Sequence, residues 1–177
     1  MITTEQLRQI MPRLSVDKAT EYLPYINEAM KEAQINTPLR QAAFLAQIAH
    51  ESVELKHFKE LASGAAYEGR RDLGNTQPGD GIRYKGRGPI QLTGRANYRQ
   101  AGKDLGLDLE NTPARAEAPD VAFRIAGWFW TKRKLNAFAD KDNFDAITYR
   151  INGGYNGKAD RDKYYQTALK VLGGQNG

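Results

Sequence analysis

The chain of 177 residues contains no cysteine and only two histidines. Without cysteine there is no disulfide scaffold, no thiolate nucleophile and no zinc site built on thiolates. The histidines, His50 and His57, do not fit the zinc-protease pattern, in which two histidines four positions apart flank a glutamate. We therefore expect neither a bound metal nor a cofactor.

Long hydrophobic runs are also missing. No stretch approaches the roughly 18 apolar residues of a membrane span. The first residues, M-I-T-T-E-Q, lack the basic and apolar regions of a signal peptide. We expect a protein without membrane insertion that is made in the cytoplasm and reaches an external target by another route.

Charge is present in excess of one sign. The chain has 26 basic and 21 acidic residues, a net charge of +5 and a calculated pI near 9.4. Such a balance favours polyanions, which include nucleic acid, an anionic membrane surface and a bacterial envelope. No phosphate-binding loop and no recognised nucleic-acid module accompanies the basic residues, so we expect no nucleic-acid partner.

Apolar residues recur at helical spacing through most of the chain, which predicts a mainly α protein with little or no β-structure. Around Pro24 the pattern predicts a short helix ending near Tyr22 and a second helix over residues 23–34. Thr37 followed by Pro38 is a typical helix start, and the apolar helix that follows carries Glu51 at its end. The remaining predicted helices cover residues 3–10, 94–102, 120–130, 143–151 and 160–172, the last ended by two glycines at 173 and 174. With no repeat or linker, residues 1–177 are predicted to form a single domain.

The segment A-H-E-S-V-E-L-K-H-F-K-E, residues 49–60, has the densest ionisable groups. Burial in an apolar environment favours the protonated form of a carboxyl, as a general acid requires, and Glu51 is the candidate. A second carboxylate could come from Glu54, Glu60 or Glu68. In one straight helix Glu51 and Glu60 would lie about 13.5 Å apart on opposite faces, so their cooperation requires a break near residues 52–56. We interpret Glu54 as a surface charge.

A second distinctive segment is R-Y-K-G-R-G-P-I-Q-L-T-G-R-A-N-Y, residues 83–98. It follows a long irregular stretch, residues 63–87, that is rich in turn residues, and long loops of this kind are usually functional or disordered. The segment presents aromatic, amide and hydroxyl groups beside glycines that allow close approach of the backbone. These are the groups that stack on sugars and form hydrogen bonds with them.

Taken together, A-H-E-S at 49–52, Y-K-G-R-G-P-I-Q-L-T-G-R-A-N-Y at 84–98 and I-N-G-G at 151–154 resemble glycoside hydrolase family 19, whose fold is that of the plant chitinases. The resemblance extends over residues 37–172 and is greatest to the single-domain endolysins of bacteriophages. It implies a lysozyme-like α-helical domain with two lobes and a cleft, and no separate wall-binding domain. It departs from the family after Glu51, where S-V-E replaces the frequent S-G-G.

The resemblance also implies roles for individual residues. Glu51 matches the general acid and Glu60 the general base, with Glu68 as the alternative second carboxylate. Thr93 matches the residue that helps to hold the attacking water. Matches to residues that bind the substrate or pair with a catalytic carboxylate are Tyr84, Gln91, Asn97, Asn152 and Arg161.

The function that the resemblance implies is inverting hydrolysis of β-1,4-glycosidic bonds in peptidoglycan, leading to lysis of a bacterial host. A monomer released from the host cytoplasm by a pore-forming holin, and acting on the cell wall from the periplasm, is the expected setting. Three alternatives stay open: a chitinase, a lytic transglycosylase that needs no second carboxylate, and a saccharide-binding module without activity.

Overall fold

Helices joined by turns make up the molecule, which is described here from a computed structural model for residues 1–173. The protein is 63% helical and the described residues contain no sheet, which confirms the predicted fold class. Two isolated antiparallel bridges, joining Arg87 to Lys59 and to Leu92, are its β-like features. No helix in this range is both long and apolar enough to cross a membrane. The α-helices are α1 (Thr4–Ile10), α2 (Val16–Glu32), α3 (Pro38–Ser52), α4 (Asp80–Arg83), α5 (Arg95–Leu105), α6 (Pro119–Lys132), α7 (Leu135–Asp140), α8 (Phe144–Asn152) and α9 (Lys158–Leu172), with 3-10 turns at Ala65–Tyr67, Arg71–Leu73 and Pro113–Glu117.

Two hydrophobic clusters form the core, and α6 contributes to both. The larger cluster gathers α1, α2, α3, α7, α8 and α9 around the apolar face of α3. The smaller cluster is built from the segment around Tyr84 and Leu92, from α5 and from the connection before α6. On α6, Phe123 and Trp130 face the larger cluster and Ile125 the smaller one, so one helix ties the two lobes together.

The predicted starts of two helices are confirmed by their capping hydrogen bonds. The Thr3 side chain accepts from the amide of Gln6, and the Thr37 side chain accepts from that of Arg40, with Pro38 at the first helical position. These caps satisfy amides that have no partner inside the helix. Gly174, which we expected to help end the last helix, lies outside the described residues.

The predicted division at Pro24 is wrong. Pro24 lies inside α2, which runs unbroken from Val16 to Glu32. An interior proline costs a helix about 3 kcal/mol. Tyr22 and Ile26, on either side of it, are both buried, and α2 packs along α6. Burial of one continuous apolar face therefore outweighs the local cost.

The long irregular stretch is held by ion pairs. The Arg95 guanidinium lies 2.8 Å from Asp80 and 2.9 Å from Glu110, and Asp80 is 1% exposed. Hydrogen bonds from Arg95, partly opposed by burial, hold the pKa of the Asp80 carboxyl below its usual range. This link fixes the loop against the start of α5, next to the segment that carries Gln91 and Thr93.

Candidate active site

Glu51 is delivered by the end of α3, whose other faces are buried in the larger cluster. Its side chain is 29% exposed, and its Oε1 lies 2.6 Å from an Nη atom of Arg161 on α9. Arg161 itself is 2% exposed. An ion pair with one buried and one accessible member leaves the carboxyl open to a bound molecule on one side.

Each remaining arm of the Arg161 guanidinium is occupied. Nε donates to the carbonyl of Asn156 at 3.0 Å, and Nη1 donates to Oε1 of Gln47 at 2.5 Å. Gln47 in turn donates to the Thr148 hydroxyl at 3.0 Å. Because the guanidinium is planar and its donors point in fixed directions, these contacts set the position from which it holds Glu51.

The chain turns sharply after Glu51, as the predicted cooperation of Glu51 with Glu60 requires. Val53, Glu54 and Leu55 are consecutive residues with φ of 53°, 56° and 66°. The amide of His57 then donates to the carbonyl of Ser52 at 3.0 Å, so the chain has folded back on the end of α3. The predicted break within residues 52–56 is confirmed.

The interpretation of Glu54 as a surface charge is wrong. Glu54 is 4% exposed, and its carboxylate accepts from the backbone amide of Arg13 at 2.8 Å, from Arg13 Nε at 2.9 Å and from the hydroxyl of Tyr164 at 2.6 Å. Left-handed backbone is costly for residues other than glycine, so the turn needs such an anchor. Glu54 is thus part of the support of the site.

Glu60 lies beside the glycine-rich segment. Its amide donates to the carbonyl of Gly86 at 3.0 Å, and Oε2 accepts from the hydroxyl of Tyr67 at 3.0 Å. Oε1 is buried and has no hydrogen-bond partner among residues 1–173. Burial and the bond to Glu60 raise the pKa of Tyr67, which keeps it a donor at neutral pH. A buried carboxyl oxygen without a partner is rare in proteins and calls for an explanation, such as an ordered water or a group of a ligand.

Three polar side chains converge on Gly86, a residue that the sequence had suggested only as part of a close turn. A Cβ at this position would lie 2.6 Å from Oε1 of Gln91, 3.2 Å from Oε2 of Glu60 and 3.2 Å from Oγ1 of Thr93. The Thr93 hydroxyl donates to the Gln91 carbonyl at 2.9 Å. The absence of a side chain at Gly86 therefore lets the predicted base, hydroxyl and amide come together.

The other predicted residues fall into two groups. Asn97 is exposed at the start of α5, with its amide donating to the carbonyl of Thr93 at 2.9 Å, and Asn152 is partly exposed at the end of α8. Tyr84, by contrast, is 0% exposed and donates to the carbonyl of Glu110 at 2.6 Å. The prediction that Tyr84 binds substrate is wrong because its ring is part of the smaller core cluster.

Glu68 is engaged elsewhere. Its two carboxylate oxygens accept from the amides of Gly79 and Gly81, each at 2.9 Å. These bonds fold the loop that leads into α4. Since both oxygens are occupied by backbone donors, the geometry favours Glu60 over Glu68 as the second carboxylate.

The His50 side chain is also held by protein groups. His50 Nδ1 lies 2.7 Å from Asp160, and its ring lies against Gly157, where a Cβ would come within 2.5 Å of Nε2. Within the described part of the chain, no three or more His, Cys, Asp or Glu side chains are grouped in a way that could hold a metal ion.

Known proteins with similar sequences and folds are glycoside hydrolases of one family. The chain is 30% identical over 175 residues to a glycosyl hydrolase family 19 domain-containing protein of Haemophilus influenzae, covering 81% of this chain and 86% of that protein. It is 45% identical over 114 residues to an endochitinase of Arabidopsis thaliana, covering 64% of this chain and 39% of that protein, so it spans less than half of the plant enzyme. The crystal structure of chitinase C from Streptomyces griseus superposes with a TM-score of 0.80 at 26% identity, covering 97% of this chain and 76% of that one.

A family comparison covers most of the chain. The family described as chitinase class I, glycoside hydrolase family 19, matches residues 28–165. This range contains both glutamates, the convergence at Gly86 and the arginine that holds Glu51. The chain therefore belongs to glycoside hydrolase family 19 and is a glycoside hydrolase.

Proposed function

We propose that the protein hydrolyses β-1,4-glycosidic bonds of bacterial peptidoglycan, with Glu51 as general acid and Glu60 as general base. The observation that carries the assignment of the base is its buried Oε1, which has no hydrogen-bond partner among residues 1–173, while the neighbouring Oε2 lies near Thr93 and Gln91. A water bound beside these groups would donate a hydrogen bond to the Glu60 carboxylate and would also contact the Thr93 hydroxyl. Glu51, which lies at the end of α3 before the turn, offers an accessible carboxyl.

The proposed reaction is a single displacement. Glu51 gives its proton to the glycosidic oxygen, and the bond from that oxygen to the anomeric carbon breaks. The oxygen of the water attacks the anomeric carbon from the opposite face while Glu60 takes a proton from that water. This attack inverts the configuration at the anomeric carbon. We expect the two carboxyl groups to lie about 6.5–9.5 Å apart in the substrate complex, since this spacing leaves room for the water.

Arg161 contributes by position. Its bonds to Gln47 and Asn156 keep the guanidinium in place beside Glu51. We expect it to prevent the Glu51 side chain from rotating away from the scissile bond. An orienting contact of this kind matters because displacement of a catalytic group by about 1 Å can cost a hundredfold in rate.

Peptidoglycan is the proposed substrate because the net charge of +5 favours an anionic polymer. We further propose that the protein acts as a bacteriophage endolysin, as a monomer that a pore-forming holin releases from the host cytoplasm to the wall. Chitin is the second candidate, since the named relatives include an endochitinase of Arabidopsis thaliana and chitinase C of Streptomyces griseus.

Activity on purified peptidoglycan and on chitin oligosaccharides decides between these substrates. Mass spectrometry of the products should show reducing ends on the peptidoglycan fragments. Anhydro ends would instead identify a lytic transglycosylase, and cleavage of chitin alone would refute the peptidoglycan proposal.

Substitution of the three glutamates tests their assigned roles. Glu51→Gln and Glu60→Gln should each lower turnover at least a hundredfold while the circular dichroism spectrum stays that of the wild type. Glu68→Gln is the matched control, since it changes a carboxylate of the same loop system that binds only backbone amides. A greater loss of turnover in Glu68→Gln than in Glu60→Gln would reverse the assignment of the base.

A further inference from the structure

A cavity of about 210 Å³ adjoins the proposed base and continues along the end of α6. On one side it is lined by Gln91, Thr93 and Asn97, and on the other by Trp128, Lys132 and Arg133. Gln91 and Thr93 are the residues whose side chains meet Glu60 over Gly86. The cavity therefore shares two of its lining residues with the place where the chemistry is proposed.

The far wall of this cavity combines aromatic rings with cations. The Arg133 guanidinium lies 3.5 Å from the centre of the Phe129 ring, and Lys132 Nζ lies 5.0 Å from that of Trp128. The Trp128 indole donates to Asp104 at 2.7 Å, which fixes the plane of the ring. Partly exposed aromatic faces of this kind provide stacking surfaces for a sugar.

Neither cation forms an ion pair within residues 1–173, although the indole of Trp128 and the charge of Lys132 both hold the pKa of the Asp104 carboxyl below its usual range. Most of the ion pairs in the described range join an arginine or lysine to a nearby carboxylate, but none of them includes Lys132 or Arg133, although both residues are exposed. Asp104, the acid beside Trp128, is bound to the indole instead, and no ion pair joins it to Lys132. No carboxylate of the described residues, 1–173, lines the cavity.

We propose that Lys132 and Arg133 bind a carboxylate carried by a substituent of the glycan, and so select an acidic amino-sugar polymer over a neutral one. The inference rests on the proposed hydrolysis of peptidoglycan and names what in that polymer is recognised. Two sources share this chemistry: the free lactyl carboxylate of a muramyl residue that carries no peptide, and the carboxylates of the stem peptide on a residue that carries one. Chitin carries neither group.

Position at the end of a helix offers a simpler explanation for the two cations. Lys132 is the last residue of α6 and Arg133 is its cap, where positive charge interacts favourably with the unpaired carbonyls. That role predicts a loss of stability on substitution that is independent of the ligand. The proposed role predicts a loss of affinity that depends on the charge of the glycan, so the two can be separated.

The experiment measures affinity in the Glu51→Gln background by isothermal titration calorimetry, which does not require turnover. The probes are soluble peptidoglycan strands with intact stem peptides, the same strands after an amidase has removed the peptides and left free lactyl carboxylates, and a hexamer of N-acetylglucosamine. Lys132→Gln and Arg133→Gln are compared with Lys141→Gln, an exposed lysine at the end of α7 that does not line the cavity.

We expect each cavity variant to weaken binding of at least one acidic strand by roughly three- to fivefold, and the double variant by roughly tenfold or more. Binding of the hexamer and the properties of Lys141→Gln should not change. Arg133→Lys should restore most of the affinity. Weakening of intact strands alone would identify the stem peptide as the source, and weakening of stripped strands alone would identify the lactyl group.

Equal weakening for all three glycans, or no weakening for either acidic strand, would overturn the inference. The proposed function is tested separately by turnover of the same strands with Glu51 present. If the strands are cleaved but the cation variants bind them normally, only the role of Lys132 and Arg133 fails. If the strands are bound through these cations but not cleaved, only the proposed hydrolysis fails.

Discussion

Replacing Glu54 by glutamine tests whether a buried carboxylate supports the turn between the two proposed catalytic residues. Glutamine has nearly the same volume but carries no charge, and its amide group is a donor. In the wild type the Glu54 carboxylate accepts from the amide and Nε of Arg13 and from the hydroxyl of Tyr164. In the variant, the NH2 group of the glutamine would face at least one of these N–H or O–H groups, and a hydrogen bond would be lost.

The magnitude follows from the number and exposure of these contacts. A hydrogen bond to a charged group contributes about 1.5–3 kcal/mol, but the Arg13 side chain is accessible to solvent, which weakens its contribution. The buried Tyr164 contact and the backbone amide carry most of the effect. We expect Glu54→Gln to lower the free energy of unfolding by about 2–3 kcal/mol, which is roughly 4–12 °C in Tm for a chain of this length.

The pH dependence gives the sharper test. Burial alone would raise the pKa of Glu54, but the hydrogen bonds from Tyr164 and Arg13 outweigh it and leave this pKa below its usual value. A carboxyl whose pKa is lower in the folded state stabilises the protein fully above its unfolded pKa, and loses that contribution as pH falls through the folded value. The difference in stability between wild type and Glu54→Gln should therefore be constant above about pH 5.5 and shrink below about pH 4.5.

The measurement is urea denaturation followed by circular dichroism from pH 3 to pH 8. Glu21→Gln is a suitable control, since Glu21 is half exposed and its pair with Lys18 spans 3.5 Å at the surface of α2. The free energy of unfolding of Glu21→Gln should equal that of the wild type at each pH. A difference for Glu54→Gln that stays the same from pH 7 to pH 3, or a variant as stable as the wild type, would refute the anchoring role.

Three further predictions concern the geometry around the proposed catalytic groups. Gly86→Ala should lower kcat at least tenfold with little loss of stability, because its Cβ would displace Gln91 and press on Glu60; normal kcat would show that this close approach is unimportant. Arg161→Lys should lower Tm by roughly 4–8 °C and reduce turnover, because an ammonium cannot keep all of the planar contacts of the guanidinium. Calorimetry and a turnover assay test this, and wild-type values of both Tm and turnover would contradict it. Tyr67→Phe should lower kcat roughly two- to tenfold and leave KM unchanged, since one hydrogen bond orients Glu60; a change confined to KM would assign Tyr67 to substrate binding instead.

Local sequence signals predicted the helical framework well where the determining contacts are close in the chain. Thr37 and Pro38 fix the start of α3 because the capping bond reaches only three residues ahead. The same kind of rule failed at Pro24, where packing of α2 on α6 outweighs the local preference. Short α7 was not expected either, because Lys134 before it has a left-handed conformation that its residue type does not favour.

Prediction of the site was limited because the sequence does not show whether a side chain is buried or which groups surround it. A tyrosine within a sugar-binding motif suggested a surface for stacking, yet Tyr84 is buried and Arg95 lies over its ring at 4.8 Å. The cations of Lys132 and Arg133 were not singled out, since a basic pair at a helix end is ordinary in sequence. Their proposed role rests on the cavity that the end of α6 lines together with Gln91 and Thr93.

By itself the sequence determined the helical class, the family motifs and the candidate glutamates around Glu51. It could not distinguish the tasks of Glu54, Glu60 and Glu68, because all three have the same side chain in a similar polar setting. Only the tertiary structure distinguishes the contacts that the three carboxyl groups make. Glu54 is tied to Arg13 and Tyr164, which are 41 and 110 residues away, and Glu68 is bound to the amides of Gly79 and Gly81. Glu60 keeps one buried oxygen that has no hydrogen-bond partner in the part of the chain that the structure describes. The physical reason is that the partners of a carboxylate define its role, and here those partners come from distant parts of the chain.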